Sequence, residues 1–480
     1  MALEAKKIGT AVASPTKSFF VSMLTRDIEL QDAVLDLLDN CVDGIVRSGA
    51  AKPPPAPPYE GYWARIVMAP DHFIIEDNCG GIPIETARKY AFAMGRPKGA
   101  NGDGQPATVG MYGIGMKRAI FKLGTEALVE SRNDTGFIVE FTPDWMQTNT
   151  WDDLPMFELE DNKLAEKGTN VTVYKLHDEV RSAFSDKTWV DDFRKVVARH
   201  YSIIIAKGFS VTVGTKQEID GGLQPIAPEE FKLLQTAAVD EGGHRIAPYV
   251  YAGKIGDVDV EIFAGLYREL LTEEESEEEE ETRGRTDDAG WTVACNDRVV
   301  IWKDRTRLTG WGEASVPNYH GQFIAITGIV LLASNDPKKL PLTTTKRGID
   351  AASNLYSEVK DLMREATKSL TSFTNKWKKF PQKLEDIYRD SEYVDLAKLR
   401  ALPAALPMTN SRKIGGIKKF EPKYPEPAQE STSARVSFVA LKEDISKLGK
   451  HFFDNARAKP GEVGEAAFND ALDRAKGRKK

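Results

Sequence analysis

From Ile28 to Ile45 the chain sets apolar residues at helical spacing, and it places Asp36, Asn40 and Asp43 at i, i+4 and i+7 within them. At about 3.6 residues per turn these three polar side chains share one face, with Leu35, Leu38, Val42 and Ile45 opposite. A helix built this way stands between an apolar core and something polar, which is either solvent or a cleft. The stretch "KPPPAPP" at 52–58 follows, and it tolerates neither a helix nor a central strand. It reads as a stiff surface connection.

The runs "YWARIVM" and "HFIIED" read as two strands meeting at a turn. "IETARKYAFAM" reads as a short helix, "GRPKGANGDGQPATVG" as a polar Gly/Pro loop, and "MKRAIFKLG" as a helix. "EALVESR", "GFIVEFT" and "TNVTVYKL" give three further strands. One sheet with helices laid on it, an α/β sandwich, is expected over residues 1–180. A second, smaller α/β unit is expected over 181–350. It opens with the helix "DKTWVDDFRKVVARHYS" and runs through strands such as "FSVTV", "YVYAGKI", "VDVEIFAGLY" and "GQFIAITGIVLLA". A helical segment at 351–401, a linker at 402–434 and a helical C-terminal piece at 435–480 complete an α+β chain of 480 residues, a length that calls for several domains.

No stretch approaches the roughly 18–20 uninterrupted apolar residues of a membrane span, and the N-terminus lacks the apolar core of a secretory signal. Three widely spaced cysteines, Cys41, Cys79 and Cys295, fit a reducing, cytoplasmic setting and no zinc spacing. The charge is uneven. Residues 351–480 hold 26 Lys and Arg against 18 Asp and Glu, an excess of +8, so the first 350 residues carry −15 of the total −7. A basic end on an acidic body suits an acidic client such as DNA, and equally suits a solvated helical surface. Eight glutamates between Glu273 and Glu281 read as a self-repelling loop.

Three further stretches carry chemistry. "IIEDNCGGIP" ends a strand on Asp77, whose carboxylate can accept a hydrogen bond from an exocyclic amine, and then turns on Gly80 and Gly81, which let the backbone lie close to a flat ring. "VGMYGIGMKRA" brings Gly110, Gly113 and Gly115 to the start of a helix, where bare N–H groups and the positive dipole end suit a phosphate; Lys117 adds charge in the first turn. In "KGTNVTVYKL", Gly168 and Thr169 open a strand, and the Thr169 hydroxyl is placed to reach a base or its water. Asn40 offers the hard oxygen that magnesium accepts beside phosphates, and Asp36, one turn earlier, suits a general base.

In this order and spacing, Asp36–Asn40–Asp43, Asp77–Gly81, Gly110–Gly113–Gly115 and Gly168–Thr169 resemble the four boxes of the GHKL ATPases. That superfamily takes in gyrase B, the ninety-kilodalton heat-shock chaperones, histidine kinases, MutL and MORC proteins, and the pattern looks most like the MORC group. The resemblance spans residues 28–175 and implies a Bergerat-type ATP-binding domain. It implies that Asn40 holds Mg2+ on the phosphates of ATP, Asp77 reads the adenine amino group, Gly81 packs under the base, and Thr169 supports that contact. It also implies that residues 96–115 form the ATP lid, with Gly113 and Gly115 at phosphate. Two departures stand out: the family's base is Glu where this chain has Asp36, and Cys79 replaces the first glycine of the second box. "KKLPLTTTKRGID" resembles the transducer loop that reaches the γ-phosphate, with Lys346 in the catalytic position and Arg347 beside it. The function implied is Mg2+-dependent ATP hydrolysis driving lid closure and homodimerisation, with DNA as a candidate client. The alternatives are an ATP-gated, chaperone-like clamp and a regulatory nucleotide-binding module with negligible hydrolysis.

Overall fold

The computed structural model describes residues 15–49, 51–53, 55–94, 114–160, 164, 167–237, 242–270, 288–343, 348–378, 380, 387–427 and 436–477. They divide into two compact units at Glu426/Pro427. The class is mixed α+β, as the sequence patterning implies.

The first sheet of the larger unit has seven strands: β1 (Trp63–Met68), β2 (His72–Asp77), β3 (Gly124–Arg132), β4 (Gly136–Phe141), β5 (Met156–Glu158), β6 (Gly168–Leu176) and β7 (Ser210–Gly214). They run in the order β5-β4-β3-β6-β2-β1-β7. All neighbours are antiparallel except β1 and β7, which are parallel. The helices α1 (Lys17–Arg26), α2 (Leu30–Arg47), α3 (Gly115–Leu123) and α4 (Lys187–His200) belong to this part of the unit. Residues of α2, α3 and α4 share one core with the sheet: Val34, Leu38, Val42, Ile120, Phe193 and Val197 lie with Ile66, Phe73, Val129 and Val173. β7 corrects the expected boundary. "FSVTV", expected in the second unit, instead forms most of Ser210–Gly214 of the first sheet beside β1, with Trp63 opposite Ser210. An alternating run declares a strand without declaring its neighbour.

β8 (Lys232–Thr236) pairs with a late strand, β14 (Ser391–Asp395). The second large sheet is built from β9 (Tyr249–Ile255), β10 (Val258–Leu266), β11 (Gly290–Cys295), β12 (Arg298–Asp304), β13 (Ile326–Ala333), β15 (Thr409–Asn410) and β16 (Ile417–Phe420), in the order β12-β11-β13-β10-β9-β16-β15. The helix α5 (Asn354–Trp377) covers it with Tyr356, Val359, Leu362, Met363, Ala366, Leu370 and Phe373, the spacing of one helical face. The described residues between 351 and 426 are thus part of the second layer and not a separate helix and linker: β14 joins β8, and β16 pairs with β9 along Ile417–Phe420.

The smaller unit carries two helices, α6 (Lys442–Phe453) and α7 (Pro460–Ala475), with Gly449 of α6 close to Val463 of α7. Among the described residues no helix is long and apolar enough to cross a membrane. The acidic stretch 273–281 lies outside the described residues.

Candidate functional site

β2 ends at Asp77, whose Oδ1 accepts the backbone N–H of Cys79 at 2.7 Å, and the chain then turns on Gly80 (φ +98°) and Gly81 (φ +67°). Both dihedrals lie where a side chain is strained. At Gly81 a Cβ would also stand 2.0 Å from the carbonyl oxygen of Arg132. Cys79 is not among the positive-φ residues, so cysteine is accommodated there without backbone strain. In the ladder Asp77 faces Thr169 of β6, and Thr169 faces Ser131 of β3. The two hydroxyls are 3.0 Å apart, and Ser131 Oγ also accepts the N–H of Ile82 at 2.8 Å. A carboxylate and two hydroxyls thus line up across three strands beside a glycine turn. Ser131 gave no sequence signal, because a serine in an amphipathic strand is ordinary.

Asp77 is 9% exposed, and burial raises its carboxyl from 3.8 to about 6, against the hydrogen bonds from Cys79, Cys41 and Thr169 that favour the charged form. Cys41 and Cys79 are buried free thiols beside it, both pushed up by burial first and by the Asp77 charge second.

The helix α2 runs past this turn. A Cβ on Gly44 would lie 2.5 Å from the carbonyl oxygen of Cys79, so helix and turn meet with no room for a methyl group. Two turns earlier, the carboxylate of Asp36 lies 3.6 Å from where a Cβ on Gly115 would stand, at the first residue of α3. Asn40, half-buried, sits between these two contacts. Eight residues separate Gly44 from Asp36, about 12 Å at 1.5 Å per residue. Asp36, Asp39 and Asp43 are 3%, 2% and 0% exposed. These three aspartates are therefore enclosed by protein, while Asn40 keeps partial exposure.

Each carboxylate has surroundings of its own. Asp36 receives Arg118 of α3, through Nε at 3.2 Å and through a closer Nη2. Asp39 accepts the Tyr201 hydroxyl at 2.5 Å and Arg298 Nε at 2.9 Å. Arg298 belongs to β12, so this buried ion pair ties α2 to the second sheet. The guanidinium stacks 4.4 Å from the Tyr201 ring, and His200 Nδ1 is 2.6 Å from Val299 O. Burial, with Arg298 next to it, lowers His200 to about 4, so the ring is neutral and donates from Nδ1. Asp43 lies near Tyr59, whose hydroxyl is pushed up by burial, then by Asp297 and Asp43.

Lys117 is 2% exposed, and its ammonium donates to Ala91 O at 2.8 Å, inside the fold. Its neighbour Arg118, which the sequence reading passed over, is the residue whose charge reaches the Asp36 carboxylate. Gly110, Gly113, Lys346 and Arg347 lie outside the described residues. The loop ends flanking the last two are bonded to each other, Thr343 N–H to Gly348 O at 3.1 Å.

A metal here would have to bring ligands with it. Among the described residues no group of three His, Cys, Asp or Glu side chains could hold an ion. One half-buried amide oxygen, Asn40, suits Mg2+, which takes one or two protein oxygens and completes its shell with phosphate and water. The chain matches no family model and no curated protein sequence.

Proposed function

We propose that the chain is a Mg2+-dependent ATPase of the GHKL type, with a Bergerat-like nucleotide site between α2, the Asp77–Gly81 turn and the start of α3. One observation carries the reading. A single helix touches the Asp77–Gly81 turn through Gly44 and the α3 N-terminus through Asp36, with Asn40 between, over about 12 Å. That is the order of the reach from an adenine ring to its terminal phosphate.

In this reading Asp77 accepts the adenine amino group, with Thr169 and Ser131 beside it, and the Gly80–Gly81 turn lets the ring approach the backbone. The α3 N-terminus takes the phosphates. Asn40 would hold Mg2+, which when bound supplies charge neutralisation on the phosphate oxygens. Asp36 accepts a proton from a water that attacks the terminal phosphorus. The new P–O bond forms as the bridging bond to the β-phosphate breaks, and ADP leaves with that electron pair. Lys346, in the role the resemblance assigns it, would add positive charge to the developing transition state.

A second reading, a nucleotide-gated module with negligible turnover, is favoured by the ion pair that engages Asp36 with Arg118. Asp36→Asn separates the two. The ATPase reading expects this variant to keep ATP binding and lose turnover by about 10²-fold or more. Unchanged turnover removes Asp36 as base, and undetectable turnover in the parent supports the module.

A further inference from the structure

Asp36 is the group expected to take a proton from water, yet Arg118 grips it, and the two side chains are 4% and 10% exposed. The same carboxylate lies at the first residue of α3, 3.6 Å from the Cβ position of Gly115. An internal anion therefore stands where a helix N-terminus and a guanidinium would receive a phosphate. A carboxylate whose charge is taken up by a guanidinium is a poor proton acceptor. Arg118 gives Asp36 its Nε and Nη2 N–H groups, the edge of the guanidinium that a phosphate oxygen would also compete for.

We propose that Arg118 exchanges Asp36 for the terminal phosphate of a bound nucleoside triphosphate, and so frees the base only when the bond to be cleaved is in place. The proposal rests on the ATP reading above and assigns Arg118 as the phosphate-sensing residue of that site. A diphosphate lacks the competing group and leaves the Arg118–Asp36 pair closed. A triphosphate offers the guanidinium a more highly charged partner. The exchange makes and breaks no covalent bond; proton transfer from water to Asp36 follows it. The device also explains how a base already held in an ion pair is compatible with an active enzyme.

Competition predicts a sign that a purely structural ion pair does not. Parent, Asp36→Asn, Arg118→Gln and the double variant are titrated by calorimetry with ADP and with a non-hydrolysable ATP analogue, both with Mg2+. Asp36→Asn is expected to bind the analogue several-fold more tightly and ADP unchanged, because Arg118 no longer has a second anion. Arg118→Gln is expected to weaken the analogue by about tenfold or more, the value of a charge-assisted contact, and to leave ADP unchanged. In the double variant the gain from Asp36→Asn disappears. Should Arg118→Gln fail to fold, Arg118→Lys keeps the charge without the fork and is expected to lower the ratio of analogue to ADP affinity. Equal shifts for both nucleotides, or no gain in Asp36→Asn, overturn the exchange. A parent that binds neither nucleotide overturns the ATP reading instead, and the exchange with it.

Discussion

Asp77→Asn is predicted to stabilise the nucleotide-free protein at neutral pH, although it removes a residue assigned to the nucleotide site. Burial raises the Asp77 carboxyl from 3.8 to about 6, roughly two units at about 1.4 kcal/mol each, or about 3 kcal/mol between the protonation states. The sign follows from proton binding. Between those two values the folded chain holds the proton and the unfolded chain has released it, so stability falls as pH rises from about 4 to about 6. Above that range the folded state carries the full cost of a buried charge; below about 4 it carries none. Asparagine keeps the Oδ1 acceptor for the Cys79 N–H and carries no charge, but its amide nitrogen needs a partner of its own. The net gain expected at about pH 8 is 1–3 kcal/mol, shrinking toward zero near pH 4. Urea unfolding of parent and variant at both pH values measures it. A variant less stable than the parent at pH 8, or a gap that does not change with pH, would refute the claim that burial of the charge sets the Asp77 carboxyl.

Arg298→Ala leaves Asp39 charged and buried without its guanidinium, and unfolding free energy should drop by roughly 3–5 kcal/mol; a loss under about 1 kcal/mol would mean that the pair does not bind the two sheets together. DNA binding by the full chain should be weak and fall steeply with salt. Part of the basic excess is already paired with acids from earlier in the chain, Arg364 with Glu313 and Arg400 with Glu261. Fluorescence anisotropy on a labelled duplex tests this, and tight binding that ignores salt would contradict it.

The helix, the turn and the strands around the site were legible because each is a local pattern. Periodicity marks α2, paired glycines after an acid mark the Asp77 turn, and alternation marks β2, β3 and β6. What was not legible depends on partners far apart in the chain. Nothing local in "MKRA" says that Lys117 turns to Ala91 while Arg118 takes Asp36. Asp39 reads as one more polar position on a helix, and only the fold brings Arg298, 259 residues away, onto it. The same limit moved β7 into the first sheet and brought β14 and β16 into the second layer. Ser131 became part of the site through ladder register, which a single strand's sequence does not encode.

The most direct test is a calorimetric titration of the full chain with ATP and with GTP in the presence of Mg2+, repeated on Asp77→Asn. Asp77 as the adenine reader predicts that ATP binds and GTP, which presents a carbonyl where adenine presents an amine, binds at least about tenfold more weakly. Asp77→Asn should lose about 1.5–3 kcal/mol of ATP binding, the worth of a charge-assisted hydrogen bond, while remaining folded. Equal affinity for the two nucleotides, or ATP binding untouched by Asp77→Asn, would contradict the nucleotide site.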